Sequence, residues 1–154
     1  MKKTEYKIFP ENGILIEYLG GHISWSDYFE LKKQELSDPG YSPNYNVITD
    51  MRNLKIYSED LDGIDKYIEF IKENNRIVGS RKTAMLTDDS KHVVHSEVLK
   101  LMLRYFPMEL KTVSTYYAAF EWTELNFETR TKLIKYMDEL KAYKFTCCNE
   151  CMVD

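Results

Sequence analysis

The chain has 154 residues, of which 44% are hydrophobic and 30% are charged. That composition is ordinary for a globular protein of one domain, and it excludes intrinsic disorder as the default state. The formal net charge of −4 provides no general attraction to nucleic acid or to an anionic membrane surface, and we expect neither as a partner.

No apolar run approaches the roughly 20 residues needed to cross a bilayer. The opening Met1-Lys2-Lys3 is not followed by the apolar segment of a signal peptide. We therefore predict a cytoplasmic protein without a membrane span. All 3 cysteines lie close together near the last residues, where they cannot form a disulfide framework for the domain.

The first part of the chain predicts a hairpin, a helix and a strand. Strands over 6–9 and 14–19 flank Asn12-Gly13, whose residues both tolerate positive φ. Gly20-Gly21 is expected to end the second strand. Ser24 is the predicted N-cap of the first helix. The third strand is predicted over 46–50.

The rest of the chain alternates predicted helices and strands. A helix over 58–75 has a buried stripe formed by Leu61, Ile64, Ile68 and Ile71. A strand over 82–86 is followed by a third helix, which Pro107 ends. The residues predicted for the inner side of this helix are Val94, Val98, Leu101, Met102 and Tyr105. Then follow a strand over 112–117, a short helix over 118–125 and an amphipathic helix over 128–143. This order predicts an α/β fold with a mixed sheet, an N-terminal hairpin and helices covering the sheet.

The same order resembles the SpoIIAA-like branch of the STAS superfamily. "ILIEYLGGHISWSDY" is similar to the second strand, glycine and helix start of that family, and "YNVITDMRN" to its central strand ending in Asp. "RKTAMLTDDS" resembles the next strand, and "FPMELKTVSTYYAAFEWTEL" the closing strand with a small helix. We expect a STAS-like domain over 1–125, an additional amphipathic helix over 126–143 that packs on the domain or on a partner chain, and a flexible cysteine-containing tail over 144–154.

The resemblance implies a regulatory or protein-interaction module and no enzyme. Anti-anti-sigma factors of the superfamily carry a phosphorylatable Ser or Thr after the Asp of the central strand. Here Asp50 is followed by Met51, Arg52 and Asn53, so that hydroxyl is missing. The nearest downstream hydroxyl belongs to Ser58, which is also the predicted cap of the second helix.

Asp50 and Arg52 are the first candidate site, to which Ser58 would contribute from the helix start. At the carboxyl end of a central strand, Arg52 could bind a phosphate or carboxylate. Alternatively, Asp50 accepts backbone N–H groups in a turn and Arg52 pairs with an acid such as Asp88. We favour the second interpretation because acids that stabilise turns are common.

Two further motifs are weaker candidates for sites. His92 and His95 share a helix face, but two ligands do not make a metal site, and exposed or interface histidines are favoured. The pair Cys148 and Cys151 ends the chain, where a flexible, reduced tail is favoured over zinc binding or redox chemistry. We expect no cofactor and no metal.

Two functional hypotheses follow. The first is a non-enzymatic STAS-like module that acts through protein contacts, as a homodimer or with another protein. The second is a domain that binds a small apolar or anionic ligand between sheet and helices. Tyrosines could line such a pocket, although ordinary core and interface positions are favoured for them; they are Tyr18, Tyr28, Tyr57, Tyr105, Tyr116 and Tyr117.

Overall fold

The computed structural model describes residues 3–55 and 62–150; the side chains of Asp62 and of residues 141–150 are not described. Within those residues the chain forms one five-stranded sheet in the order β1-β2-β3-β4-β5. The strands are β1 (Lys3–Phe9), β2 (Ile14–His22), β3 (Asn46–Lys55), β4 (Arg81–Leu86) and β5 (Met108–Val113). Only β1 and β2 pair in antiparallel fashion, and the other neighbours are parallel. The predicted mixed α/β sheet is confirmed.

The predicted N-terminal hairpin is also confirmed. A 3-10 turn over Pro10–Asn12 ends at Gly13, which has φ 61°. Glycine adopts this left-handed conformation without the steric cost that a Cβ would add. The turn therefore places Phe9 opposite Ile14 in the antiparallel ladder.

The prediction that Gly20 and Gly21 end the second strand was wrong. β2 continues to His22, with an irregular register between Tyr18 and Gly20. Gly21 has φ 82°, so the pair bends the strand within the sheet and does not stop it.

Five α-helices connect and cover the strands in the described chain. They are α1 (Trp25–Ser37), α2 (Asp62–Glu73), α3 (Ser90–Met102), α4 (Tyr116–Trp122) and α5 (Phe127–Glu150). α1 begins with a capping box, because the Ser24 hydroxyl accepts the Asp27 backbone N–H while the Asp27 carboxylate accepts the Ser24 N–H. No helix of the described residues is long and apolar enough to span a membrane.

The predicted positions of β5 and α4 were too far along the chain. β5 ends at Val113, and the Thr115 hydroxyl caps α4 by accepting the backbone N–H of Ala118. Tyr116 and Tyr117 favour strands by intrinsic propensity, which misled the prediction. The local hydrogen bond at Thr115 begins a helix there instead.

The inner side predicted for α3 was largely wrong. Val94, Leu101 and Tyr105 are exposed by 60%, 64% and 80%. The helix buries His92, Ser96 and Leu99 instead. Val98 and Met102 do pack partly against the core, as predicted. The inward face of α3 is thus partly polar, and the apolar pattern of the sequence indicated a helix rotated away from the observed orientation.

Two hydrophobic cores lie on opposite faces of the sheet, because successive side chains of a strand point to opposite sides. We call the side of α1, α2 and α3 face A; its core contains Leu31, Met51, Ile71 and Leu99. We call the side of α4 and α5 face B; its core contains Ile16, Ile48, Leu86, Phe120, Leu133 and Met137. α5 thus packs on the sheet of its own chain, and it includes Cys147 and Cys148, while Cys151 lies outside the described residues.

Candidate functional site

An apolar cavity of about 100 Å³ lies on face A, between the sheet and α1, α2 and α3. It borders the carboxyl-terminal halves of β2 and β3, which is the edge where open α/β sheets usually bind ligands. Apolar and aromatic side chains form most of its wall, and they include Leu19, Trp25, Tyr28, Met51, Ile64 and Leu99.

Trp25 and Tyr28 belong to an aromatic cluster at the start of α1. Their rings meet edge to face at 6.0 Å, and Tyr28 lies 5.3 Å from the Tyr67 ring of α2. A side chain at Gly63 would collide with the Trp25 indole, since a Cβ there would lie 1.7 Å from Nε1. Close packing of α2 on α1 therefore holds the Trp25 ring at the cavity wall.

His92 of α3 borders the cavity and is buried within its own chain, so the prediction of an exposed or interface position was wrong for it. Its Nδ1 lies 2.7 Å from the hydroxyl of Thr87, which itself accepts the backbone N–H of Asp89. Desolvation by burial lowers the pKa of His92, and the charge of Asp89 and a hydrogen bond to the backbone of Leu54 oppose that change without reversing it.

His95 also lines the cavity and is half-buried. Its Nδ1 lies 2.8 Å from the carbonyl oxygen of Lys91, one turn earlier in α3. Its Nε2 is buried and has no hydrogen-bond partner among the described residues. Nε2 is thus a buried nitrogen whose hydrogen-bonding capacity is unused within the described part of the chain.

A cluster of buried charges lies beneath the cavity on the same face. Lys32 Nζ donates to Glu17 and, at 3.0 Å, to Glu35, and the three side chains are at most 2% exposed. Thr49 Oγ1 donates to the second oxygen of Glu17 at 2.8 Å. A space of about 20 Å³, room for roughly one water molecule, adjoins Glu17, Lys32 and Arg81.

The two carboxylates of this cluster differ in protonation. Burial raises the pKa of Glu17, but the charge and hydrogen bond of Lys32 outweigh burial and hold the pKa below its ordinary value. Burial and the nearby charge of Glu17 raise the pKa of Glu35 to about 8. Burial lowers the pKa of Lys32, yet both carboxylates outweigh it and the pKa stands well above its ordinary value. Near neutral pH the cluster is therefore a Lys32–Glu17 ion pair beside a protonated Glu35.

Asp50 and Arg52 lie together, but they contact face B. Arg52 Nε and Nη2 donate to the two carboxylate oxygens of Asp50 at 2.9 and 2.7 Å. Nη2 also donates to the hydroxyl of Tyr116 at 2.7 Å, and that hydroxyl donates to Asp138 of α5 at 2.6 Å. As predicted, Asp50 accepts a backbone N–H, that of Arg52 at 3.2 Å, and Arg52 pairs with an acid, which is Asp50 and not Asp88. The predicted turn is wrong, because these contacts lie within β3, which continues to Lys55.

Ser58 lies outside the described residues, so its predicted role stays a prediction. No cluster of His, Cys, Asp and Glu in the described part of the chain could hold a metal ion.

The sequence contains a signal for the charged cluster that the predictions above did not use. Glu17 interrupts the apolar run of β2 at a position that must point inward, and Lys32 and Glu35 are spaced to share a helix face. The sequence did indicate His92 and His95 as a motif, but how deeply each is buried depends on the rotation of α3 about its axis. That rotation is a tertiary property.

No protein-family model matches the chain. No curated protein matches it either. Among solved structures, it is similar to an uncharacterised protein of the DUF3478 family, with a SpoIIAA-like fold, from Shewanella loihica PV-4. The TM-score is 0.52 at 13% identity, and the match covers 79% of this chain and 93% of that protein.

At such low identity the similarity concerns the fold alone. Together with the strand order and the helices on both faces of the sheet, it confirms the fold that the sequence motifs predicted. The chain has a SpoIIAA-like α/β fold.

Proposed function

We propose that the protein is a non-enzymatic binding module that holds a small, mainly apolar ligand in the cavity of face A. The observation that carries the proposal is the cavity itself: about 100 Å³ of space with an almost entirely apolar wall, at the ligand-binding edge of the sheet. Concave sites with mostly apolar walls and a few polar groups are the usual binding sites for small molecules.

The absence of enzymatic activity is part of the proposal. Thr87 and His92 have the spacing of a nucleophile and its base, with 2.7 Å between oxygen and nitrogen. However, Thr87 is buried, lies outside the cavity wall, and accepts a backbone N–H as in a structural turn. This geometry supports a structural role for the pair.

Filling the cavity tests the proposal. Ser96 is buried on the cavity wall, so Ser96→Leu is expected to occupy the space without unfolding the chain. Native mass spectrometry of gently purified protein should detect a small-molecule adduct in the wild-type chain and none in Ser96→Leu. Ser26→Leu, at an exposed position of α1, is the matched control and should retain the adduct.

A bare wild-type chain that also shows no affinity for small apolar probes in solution would contradict the proposal. An adduct that persists in Ser96→Leu would place the ligand elsewhere.

A second candidate function, homodimer formation, is favoured by the outer face of α3. Val94 and Leu101 are exposed there, and Tyr105 is exposed in the 3-10 turn that follows the helix. With Val98, which packs partly against the core of face A, they follow helical spacing in the sequence. Large apolar side chains that share an exposed stripe indicate an interaction surface more strongly than scattered ones do.

Light scattering at micromolar concentration tests this candidate. We expect a dimer for the wild-type chain and a monomer for Leu101→Asp, while Lys100→Asp, at the exposed neighbouring position, remains dimeric. A wild-type monomer at all concentrations would exclude self-association through α3.

A further inference from the structure

We propose that two copies of the chain associate through α3 in antiparallel orientation, about a two-fold axis beside Leu101, with Glu97 of each copy opposite Arg104 of the other. This inference rests on the second candidate function, homodimer formation, because it names the arrangement of that dimer. It is independent of the ligand cavity. It is carried by the place where apolar side chains are exposed and by the order of the charges around them.

The exposed apolar side chains of the described residues are concentrated on one segment. Those of α3 and of the 3-10 turn that follows it (Leu103–Tyr105) are Val93, Val94, Leu101 and Tyr105. Elsewhere in the described chain, Tyr117 of α4 and Phe127 of α5 are the large apolar side chains that are exposed. Because single exposed apolar residues are ordinary and a group on one element is not, α3 is the better candidate for an interface.

Two charged residues belong to the same stripe of the helix. The stripe is formed by Val94, Glu97, Leu101 and Arg104, which follow one another at intervals of three, four and three residues. Residues at this spacing share one side of a helix. All four are exposed, on the side opposite to the face that α3 buries. The outward side of α3 therefore presents a negative, an apolar and a positive group in that order.

This order of charges is self-complementary. Glu97 precedes Leu101 by four residues and Arg104 follows it by three. With a rise of about 1.5 Å per residue in an α-helix and about 2 Å in a 3-10 turn, both charges lie about 5–6 Å from Leu101 along the helix axis. An antiparallel copy centred on Leu101 therefore places its positive group opposite the negative group of the first copy, and the symmetry repeats the contact. A parallel pair would oppose like charges.

The contacts within one chain leave both charges able to pair with a second copy. Arg104 Nη2 donates to the hydroxyl of Tyr105 at 2.7 Å, and the guanidinium lies 4.7 Å from the centre of that ring. Glu97 lies 3.8 Å from Lys100 Nζ and accepts from the Thr112 hydroxyl at 3.4 Å. Both contacts of Glu97 are long and exposed to water, so they contribute little free energy that a dimer would have to replace.

Exchanging the two charges tests the arrangement. Glu97→Arg makes the stripe positive on both sides of Leu101, and Arg104→Glu makes it negative on both sides. Each variant alone should dimerise at least about tenfold more weakly than the wild-type chain, because both symmetric pairs become repulsive. An equimolar mixture should form a heterodimer of nearly wild-type affinity, since every positive group then faces a negative one. Contacts within one chain cannot produce this rescue.

Sedimentation velocity over a micromolar concentration series measures the affinities, and native mass spectrometry identifies the heterodimer by its mass. Glu69→Arg, at an exposed position of α2, is the matched control: it changes the net charge equally and should dimerise as the wild-type chain does. Circular dichroism of all variants should match the wild-type spectrum, because each substitution is at an exposed position.

The outcomes separate this inference from the candidate function on which it rests. A wild-type monomer at all concentrations would overturn both. A dimer that persists in Leu101→Asp would place the interface on another surface. If Leu101→Asp dissociates the dimer, but the single charge variants dimerise normally or their mixture forms no heterodimer, α3 is the interface and the antiparallel arrangement is wrong.

Discussion

The two faces of the sheet are packed differently. On face B, between the sheet and α4 and α5, the core consists of fully apolar side chains such as Ile48, Leu86 and Leu133, none of them exposed. On face A lie both spaces described above and the buried cluster of Lys32 and its carboxylates. The close packing of face B shows that helices can fill a face of this sheet with apolar side chains alone. A void and buried charges are therefore not required for folding, and face A is the better place to look for a functional site.

The candidate site that the sequence indicated lies on the more regular face. Asp50 and Arg52 contact Tyr116 of α4 on face B, so they lie across the sheet from the cavity. Burial lowers the pKa of Arg52, but the hydrogen bonds and charge of Asp50 outweigh it and raise the pKa above its ordinary value. The pair stabilises the packing of β3 on α4, and its use as a site remains a prediction.

The largest effect is expected from breaking the charged cluster of face A. Lys32→Met leaves Glu17 buried without its ion pair and should lower the free energy of unfolding by about 3–5 kcal/mol. Urea unfolding followed by circular dichroism measures the change. Lys33→Met is the matched control, since Lys33 is exposed, and it should change stability by less than about 0.5 kcal/mol. Equal effects of the two substitutions would show that the cluster contributes no special stability.

A leucine truncated on each face sharpens the comparison of packing. Leu86→Ala on face B and Leu99→Ala at the cavity wall both remove a buried side chain, and such changes cost about 2–5 kcal/mol. Leu99 already borders empty space and has fewer contacts to lose, so we expect its cost to be smaller by about 1–2 kcal/mol. Equilibrium unfolding of the two variants gives the difference, and a larger cost at Leu99 would contradict the view that face A is the looser side.

The pH dependence of stability tests the protonation of Glu35. Its pKa is raised from 4.5 to about 8 in the folded chain, so the folded state binds the extra proton between these values. The contribution of Glu35 to stability is therefore present below about pH 4.5 and is lost as the pH rises toward about 8. His92, whose pKa is lowered, acts in the opposite direction near its ordinary pKa of 6.5, so the wild-type profile alone is ambiguous.

Glu35→Gln isolates the effect, because glutamine resembles the protonated acid. The free energy of unfolding of Glu35→Gln, relative to that of the wild-type chain, should rise between about pH 5 and about pH 8. We expect this rise to exceed the roughly 1 kcal/mol lost when a helix cap is removed. Glu17→Gln should instead destabilise the chain near neutral pH, since it removes the partner of Lys32. A difference between Glu35→Gln and the wild-type chain that does not change with pH would show that Glu35 is ionised throughout.

The smallest changes in stability are expected at the helix N-caps, where faces A and B should behave alike. Ser24 caps α1 on face A and Thr115 caps α4 on face B, each accepting a backbone N–H with its hydroxyl. Replacing either by Ala should cost about 1 kcal/mol in denaturant unfolding, because capping depends on local geometry. A cost at Ser24 far above that at Thr115 would mean that Ser24, which also borders the cavity, supports more than the start of α1.

The resemblance of its motifs to a known family indicated the SpoIIAA-like fold. The sequence by itself determined the order of strands and helices, the hairpin at Asn12-Gly13 and the cap at Ser24. These features depend on periodicity, turn residues and capping, which act over a few neighbouring residues. The same local hydrogen bonding explains the errors at β5 and α4, where the hydroxyl of Thr115 outweighed the strand propensity of the tyrosines that follow.

Only the tertiary structure decided where the candidate site lies. The cavity is assembled from β2, β3, β4, α1, α2 and α3, and the presence of His92 and His95 on its wall depends on the rotation of α3, which the apolar pattern misrepresented. Likewise, Glu17 meets Lys32 only because β2 and α1 pack together. Contacts between distant segments follow from how the whole sheet is covered, and no local pattern of residues specifies that covering.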